Sequence, residues 1–158
     1  MEHKTKNLNI GIVKIETKSF SMTSAALNYN RIEPVDIEFG LSFTTPDVNK
    51  LILFTIDVNI FAGSQDKPKL ANLRVVSHFR VANVDDFLHP ADQPGGAQKV
   101  EGALIQFCLD VSISHARGIL SVKIEDTPLE DIILPLVPPG HLMSQLQIQT
   151  METATPTS

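Results

Sequence analysis

Three runs in the first half of the chain alternate apolar and polar residues with a period of two. In the first, Val35, Ile37, Phe39, Leu41 and Phe43 share one phase, and Asp36, Glu38, Gly40 and Ser42 share the other. Ile52, Phe54, Ile56, Val58 and Ile60 follow in phase, with Asp57 and Asn59 opposite. In the third, Leu73, Val75, Phe79 and Val81 alternate with Asn72, Arg74, His78 and Arg80. Successive side chains of a strand point to opposite faces, so each run predicts a strand with one dry and one wet face. Pro46, Asp47 and Asn49 form the first link, and Gly63 to Lys69 the second; links this short predict an antiparallel meander. The opening segment predicts a fourth strand with a defect. Leu8, Ile10 and Ile12 share one face, but Val13 and Ile15 share the other, so a bulge is expected near Val13 and Lys14.

The second half is less regular. Asp85 to Gln98 is polar, holds Pro90, Pro94, Gly95 and Gly96, and reads as a loop. From Leu104 to Ile124 two readings compete. Phe107, Leu109, Val111 and Ile113 alternate as a strand would, while the long unbroken run also suits a buried helix. Leu129 to Val137 is an apolar connector. Pro128 and Pro135 disfavour helix across it, so an extended backbone is expected. Leu142, Met143, Leu146 and Ile148 lie near helical spacing and predict a short terminal helix. One domain is expected from residue 7 to 149, between a short N-terminal tail and a polar, disordered tail from Thr150 to Ser158.

Composition narrows the function. The chain has 158 residues and a net charge of −5, and its thirteen Lys and Arg residues are scattered, so no nucleic-acid partner is expected. No apolar run reaches the ~18 residues of a membrane span, and MEHKTKNLNI holds no apolar signal core, which points to the cytoplasm and to no membrane insertion. His3, His78, His89, His115 and His141 form no pair at helical metal-ligand spacing, so neither a metal nor any other cofactor is expected. Cys108 sits among Ile105, Phe107 and Leu109 and reads as a small core residue, and no G-x-S-x-G elbow is present. Enzymatic activity has little support. Eight Phe against one Tyr and no Trp make the aromatic surface almost wholly non-polar.

The order of four strands, long helix, apolar connector and short helix resembles the SecB chaperone family. The residues that carry the resemblance are Ala116-Arg117, Ile119-Leu120-Ser121, Thr127-Pro128 and Leu134-Pro135-Leu136-Val137 leading to Leu142, with Ile15, Thr17 and Lys18 similar to the family's first strand. The form ARGIL…TPL…LPLV looks more like the divergent SecB-like branch than the export chaperone. The resemblance selects helix for roughly Ala103 to Ile124. It implies an α+β fold: a four-stranded antiparallel sheet, a long helix, an apolar crossover and a short C-terminal helix.

The family's function, so implied, is ATP-independent holding of unfolded polypeptide clients in apolar grooves, by a homotetramer built as a dimer of dimers. Carried onto this sequence, the client groove falls on Leu134, Leu136, Val137, Leu142, Met143 and Leu146, with Phe39 and Phe43 as floor. The oligomer interface falls on Ile113, Ala116, Ile119 and Leu120. Where the export chaperone carries acidic residues that dock the SecA motor, this chain has Ser19, Thr23 and Asn72, which argues against SecA docking. Two other readings are a chaperone dedicated to the antitoxin of a toxin–antitoxin pair, and a structural module of the same fold without client binding.

Overall fold

The computed structural model describes residues 6–63, 67–96, 98–136, 142 and 147–149. Four antiparallel strands dominate it: β1 (Ile10–Met22), β2 (Val35–Thr44), β3 (Leu51–Ala62) and β4 (Lys69–Val81), with a one-turn helix, α1 (Ser24–Leu27), between β1 and β2. The loop expected at Asp85 to Gln98 holds structure at both ends. A 3-10 turn (Val84–Phe87) leads into β5 (Leu88–His89), which pairs with β6 (Lys99–Val100). The long helix α2 (Gly102–Lys123) follows, and Gln147–Gln149 forms a last strand, β7. The main sheet has the order β1-β4-β3-β2-β7. The antiparallel sheet followed by a long helix is the architecture expected from the sequence.

Register fixes which side chains share a face. Phe43 pairs with Phe54, Leu41 with Ile56, Phe39 with Val58 and Ile37 with Ile60. Across the next ladder Ile52 pairs with Phe79, Phe54 with Ser77, Ile56 with Val75 and Val58 with Leu73. All four strands thus direct their apolar phase to one side, as period-2 alternation predicts. The expected bulge is present: Ile12 pairs with Phe79 and Lys14 with His78, leaving Val13 unpaired, so that Ile15 returns to the apolar face opposite Ser77. A second irregularity lies between Thr17 and Ser19 and brings Phe20 opposite Leu73.

Helix α2 covers this face. Its buried residues are Leu104, Cys108, Leu109, Ser112, Ile113, Ala116 and Leu120, a stripe at steps of three and four that only a helix can place on one side. The alternation of Phe107 with Gln106 does not compete, because this stripe, out of phase with it, meets a dry sheet surface. Ile124, Leu129, Leu134 and Leu142 complete the cover. In the centre Phe54 stacks on Phe43 at 5.3 Å between centroids and meets Phe79 edge-on at 6.0 Å.

One expectation changes at the C-terminal end. Leu142 is helical, but Ile148 belongs to a strand: Gln147, Ile148 and Gln149 run parallel to Ser42, Phe43 and Thr44. Three residues of β pairing are too local a feature for side-chain spacing to reveal, since the edge of β2 supplies the partner. Of the tails expected at residues 1–6 and 150–158, all but Lys6 lies outside the described residues. Lys6 is tied down, donating to the Asp86 carbonyl at 2.7 Å and to the Glu101 carboxylate at 2.9 Å.

The Phe43–Phe54–Phe79 stack fixes the sheet's centre, so Phe54→Ala should cost about 3–5 kcal/mol in denaturant unfolding. Val48→Ala, at a fully exposed turn position, should stay within about 0.5 kcal/mol.

Candidate functional site

The connector after α2 is built from consecutive tight turns. Ile124 donates to the Leu120 carbonyl at 3.0 Å, and Asp126 adopts φ 59°, the left-handed conformation that commonly ends a helix. The Thr127 carbonyl then accepts from Glu130 at 3.1 Å and the Leu129 carbonyl from Ile132 at 2.9 Å, while the Thr127 hydroxyl accepts from Leu129 at 3.1 Å. The extended backbone expected from Leu129 is therefore corrected for its first part. Proline excludes a helix interior but suits the second position of a turn, where Pro128 stands behind the turn-forming Thr127.

Beyond Ile132 the chain has no regular structure, and its apolar residues separate. Leu134 is 2% exposed and joins the core; Ile133 is 77% exposed and Leu136 85%. Arg117 on α2 holds this stretch in place, with Nε donating to the Leu134 carbonyl at 3.4 Å and Nη2 to the Pro135 carbonyl at 3.3 Å. Between connector and helix lies an open groove of about 520 Å³ bounded by Ser114, Arg117, Gly118 and Ser121 on one side and Ile132, Ile133 and Leu134 on the other. A second hollow of about 230 Å³ shares Ile132 and Ile133 and continues to Tyr29, Pro34 and Val35 at the start of β2. Arg31 spans that side, its guanidinium donating to Glu130 at 2.6 Å and Asp131 at 3.0 Å.

Among the described residues expected to line a groove, Leu136 is exposed, though it is not one of the residues that bound this one. Leu134, Leu142 and Phe43 are buried by their own chain, because covering the sheet's apolar face takes precedence over display. Phe39 is half-buried on the same face, and Val137, Met143 and Leu146 lie outside the described residues. The expected interface set is corrected likewise. Ile113, Ala116 and Leu120 belong to the stripe packed on the sheet, and Ile119 is half-buried against the core. The family resemblance nominated them; within one chain, helical phase turns them inward.

Sequence reasoning nominated neither Ile133, nor Phe107, nor the apolar residues of the bulged end of β1 for any binding surface. Three apolar residues in a row, Ile132-Ile133-Leu134, cannot all point inward from an irregular strand, and Phe107 falls out of phase with the buried stripe. Both were usable signals. Phe107 and Val111 face Ile10 and Ile12 across an apolar hollow of about 180 Å³. Beside it Val13 and Ile15 are also exposed, on an edge strand.

The opposite face of the sheet is polar, and part of its charge is paired within the chain. Arg74 forks onto Asp57 through Nε at 2.6 Å and Nη2 at 3.0 Å, and Asn72 donates to Asn59 at 2.8 Å. Glu16 gathers His78 at 2.9 Å, Lys18 at 2.9 Å and Lys14. Hydrogen bonds from Lys14, Lys18 and His78 hold its carboxyl down at about 2. Ser19 and Asn72 share this face, and Thr23 donates to the Lys69 carbonyl at 2.5 Å.

Nucleophilic groups are shielded. Ser77 Oγ and His115 Nδ1 share a hydrogen bond of 2.8 Å, but Ser77 is fully buried. Burial pushes the His115 imidazole below its usual value and the Cys108 thiol up to about 12. Among the described residues no group of three His, Cys, Asp or Glu is arranged to hold a metal ion, and no helix is long and apolar enough to cross a membrane.

No protein-family model matches the chain, and no curated protein does. Among solved structures it is similar to a SecB-like chaperone of Mycobacterium tuberculosis, in complex with a ChAD peptide from the HigA1 antitoxin. The identity is 16% and the TM-score 0.47, covering 82% of this chain and 88% of that one. It is also similar to a protein of unknown function from Streptococcus agalactiae, at 8% identity and a TM-score of 0.35, covering 83% of this chain and 100% of that one. At these values neither assigns a role to any residue here.

Two outcomes follow from this geometry. Leu134→Ser should lower unfolding stability by about 2–5 kcal/mol, whereas Leu136→Ser should change it by less than about 0.5 kcal/mol. For Glu16, the folded value lies below the ordinary 4.5, so its stabilising contribution is complete above that pH and is lost as pH falls through about 2. The Tm difference between the native chain and Glu16→Gln should therefore be constant above pH 4.5 and shrink on acidification below it.

Proposed function

We propose that this protein is an ATP-independent holding chaperone that takes apolar segments of non-native polypeptides into the groove between α2 and the connector. The observation that carries the reading is the pair Ile133 and Leu136, exposed on a connector whose intervening Leu134 is anchored in the core. An isolated exposed apolar residue is ordinary; Ile133, which lines the open groove, and Leu136, three positions further along the same irregular segment, form an apolar edge. Each large apolar side chain a client buries there contributes about 1.5–3 kcal/mol, offset in part by the ordering of the client, so several contacts act together. The groove floor supports the same reading. Gly118 lowers helix propensity by about 1 kcal/mol relative to alanine, yet a Cβ at that position would meet nothing within 4 Å. A residue that gives up stability at an open site keeps the backbone accessible to an incoming chain.

The buried Ser77 and Cys108 favour a binding protein over an enzyme, and the work of such a holdase is cytoplasmic. Its assembly is a homotetramer, in which the exposed set Ile12, Val13, Ile15 and Phe107, with the half-buried Val111, takes over the role first given to the inner stripe of α2. A lone chain leaves this apolar patch in water, and pairing covers it. Coupling to SecA is disfavoured, since Ser19, Thr23 and Asn72 stand where the docking acids would be, and Asp57 and Glu16 on the open sheet face are already paired with Arg74, His78, Lys14 and Lys18. Service to one dedicated client, such as an antitoxin, uses the same groove.

Light scattering of a thermally aggregating client should fall at stoichiometric chaperone, and the Ile133→Ser/Leu136→Ser variant should lose most of that effect with an unchanged Tm. Full activity in the variant would remove the groove from the mechanism. Gly118→Leu should fill the groove and give the same loss without destabilising the helix. Phe107→Asp should lower the assembly mass in multi-angle light scattering, and a native chain that stays monomeric at micromolar concentration would sink the tetramer.

A further inference from the structure

Strand β7 occupies three of the ten positions of β2, opposite Ser42, Phe43 and Thr44. Among the described residues the other seven, Val35 to Leu41, pair with β3 on one side and hold no strand on the other. A free strand edge presents unpaired backbone groups to any extended chain that reaches it. That this edge accepts an added strand is evident from β7. The accepted segment is uncharged, with Ile148 in register with Phe43 between two glutamines. The free end of the edge starts at Val35, which lines the hollow continuous with the client groove through Ile132 and Ile133. Three residues of parallel pairing are a weak hold, because the ladder is short and a parallel pair is less stable per residue than an antiparallel one.

We infer that Gln147–Gln149 is a tethered competitor for clients: a strand the chain lays on its own binding edge, and which an extended client must displace to pair with all of β2. The inference rests on the peptide-holding reading above and adds its regulation. Tethering gives the competitor an effective concentration on the order of millimolar, so only a segment that gains enough by displacing it will do so. A segment of seven residues fits the vacant edge and leaves β7 in place. A longer one meets β7 and must replace it. The device therefore sets a length threshold, favouring long unstructured chains over short peptides.

The test compares the full chain with two variants in which β7 cannot form. One is the full-length Gln147→Pro/Ile148→Pro double substitution, which removes two backbone N–H groups; the other is the chain ended after Leu146. Fluorescence anisotropy with two labelled, uncharged peptides of alternating valine and glutamine, about seven and about fourteen residues long, reads the affinity. The long peptide should bind both variants about tenfold more tightly than the native chain, while the short one should change by less than about twofold. In the native chain, saturation with the long peptide should abolish hydrogen-exchange protection at Gln147–Gln149. Equal affinity of the long peptide for all three chains, or protection that survives saturation, would overturn the competitor. Failure of both peptides to bind any of the three chains would overturn the holding reading itself.

Discussion

The apolar face of the four-stranded sheet must be covered along its whole length, and the rest of the molecule is arranged by that need. Strands of 10 to 13 residues make a surface roughly 33–43 Å long, and a helix of 22 residues reaches about 33 Å. Helix α2 therefore covers most of the face by itself. What it leaves open is closed by Ile124, Leu129, Leu134 and Leu142, each fully or almost fully buried. The connector is apolar first because it is a lid on the core.

That double duty explains the candidate groove. A segment that must place Leu134 in the core while leaving a helix through tight turns has only some of its side chains free to follow. Ile133 and Leu136 are left outside, and Arg117 fixes the backbone between them by its bonds to Leu134 and Pro135. The exposed edge is thus anchored on one side and open on the other. Gly118 and its serine neighbours keep the opposing helix wall low.

The two faces of the sheet divide the labour. One is dry and committed to the core. The other carries Arg74 with Asp57 and Glu16 with its three cations, so much of its charge is paired within the chain. The exposed apolar surface lies elsewhere, along the β1 edge with Phe107 and along the connector. Those are the places where the proposed assembly and the proposed client contacts are sited.

Much of this was legible in the residues. Period-2 alternation gave the faces of β2, β3 and β4, and a phase slip at Val13 gave the bulge, because both follow from backbone geometry that any strand obeys. The sequence by itself determined the sheet, its dry face and the need for an apolar cover. It did not determine which apolar residues of the cover would be spent inward. Leu134 and Leu136 are chemically alike and two positions apart, as are Ile132 and Ile133 at one; only the docking of the connector on α2 and the sheet separates them. Nor could spacing place Gln147–Gln149, whose strand exists because the edge of β2 is there to pair with it. Local patterns encode which face an element buries, while competition among apolar side chains for one finite core is settled only when the elements pack.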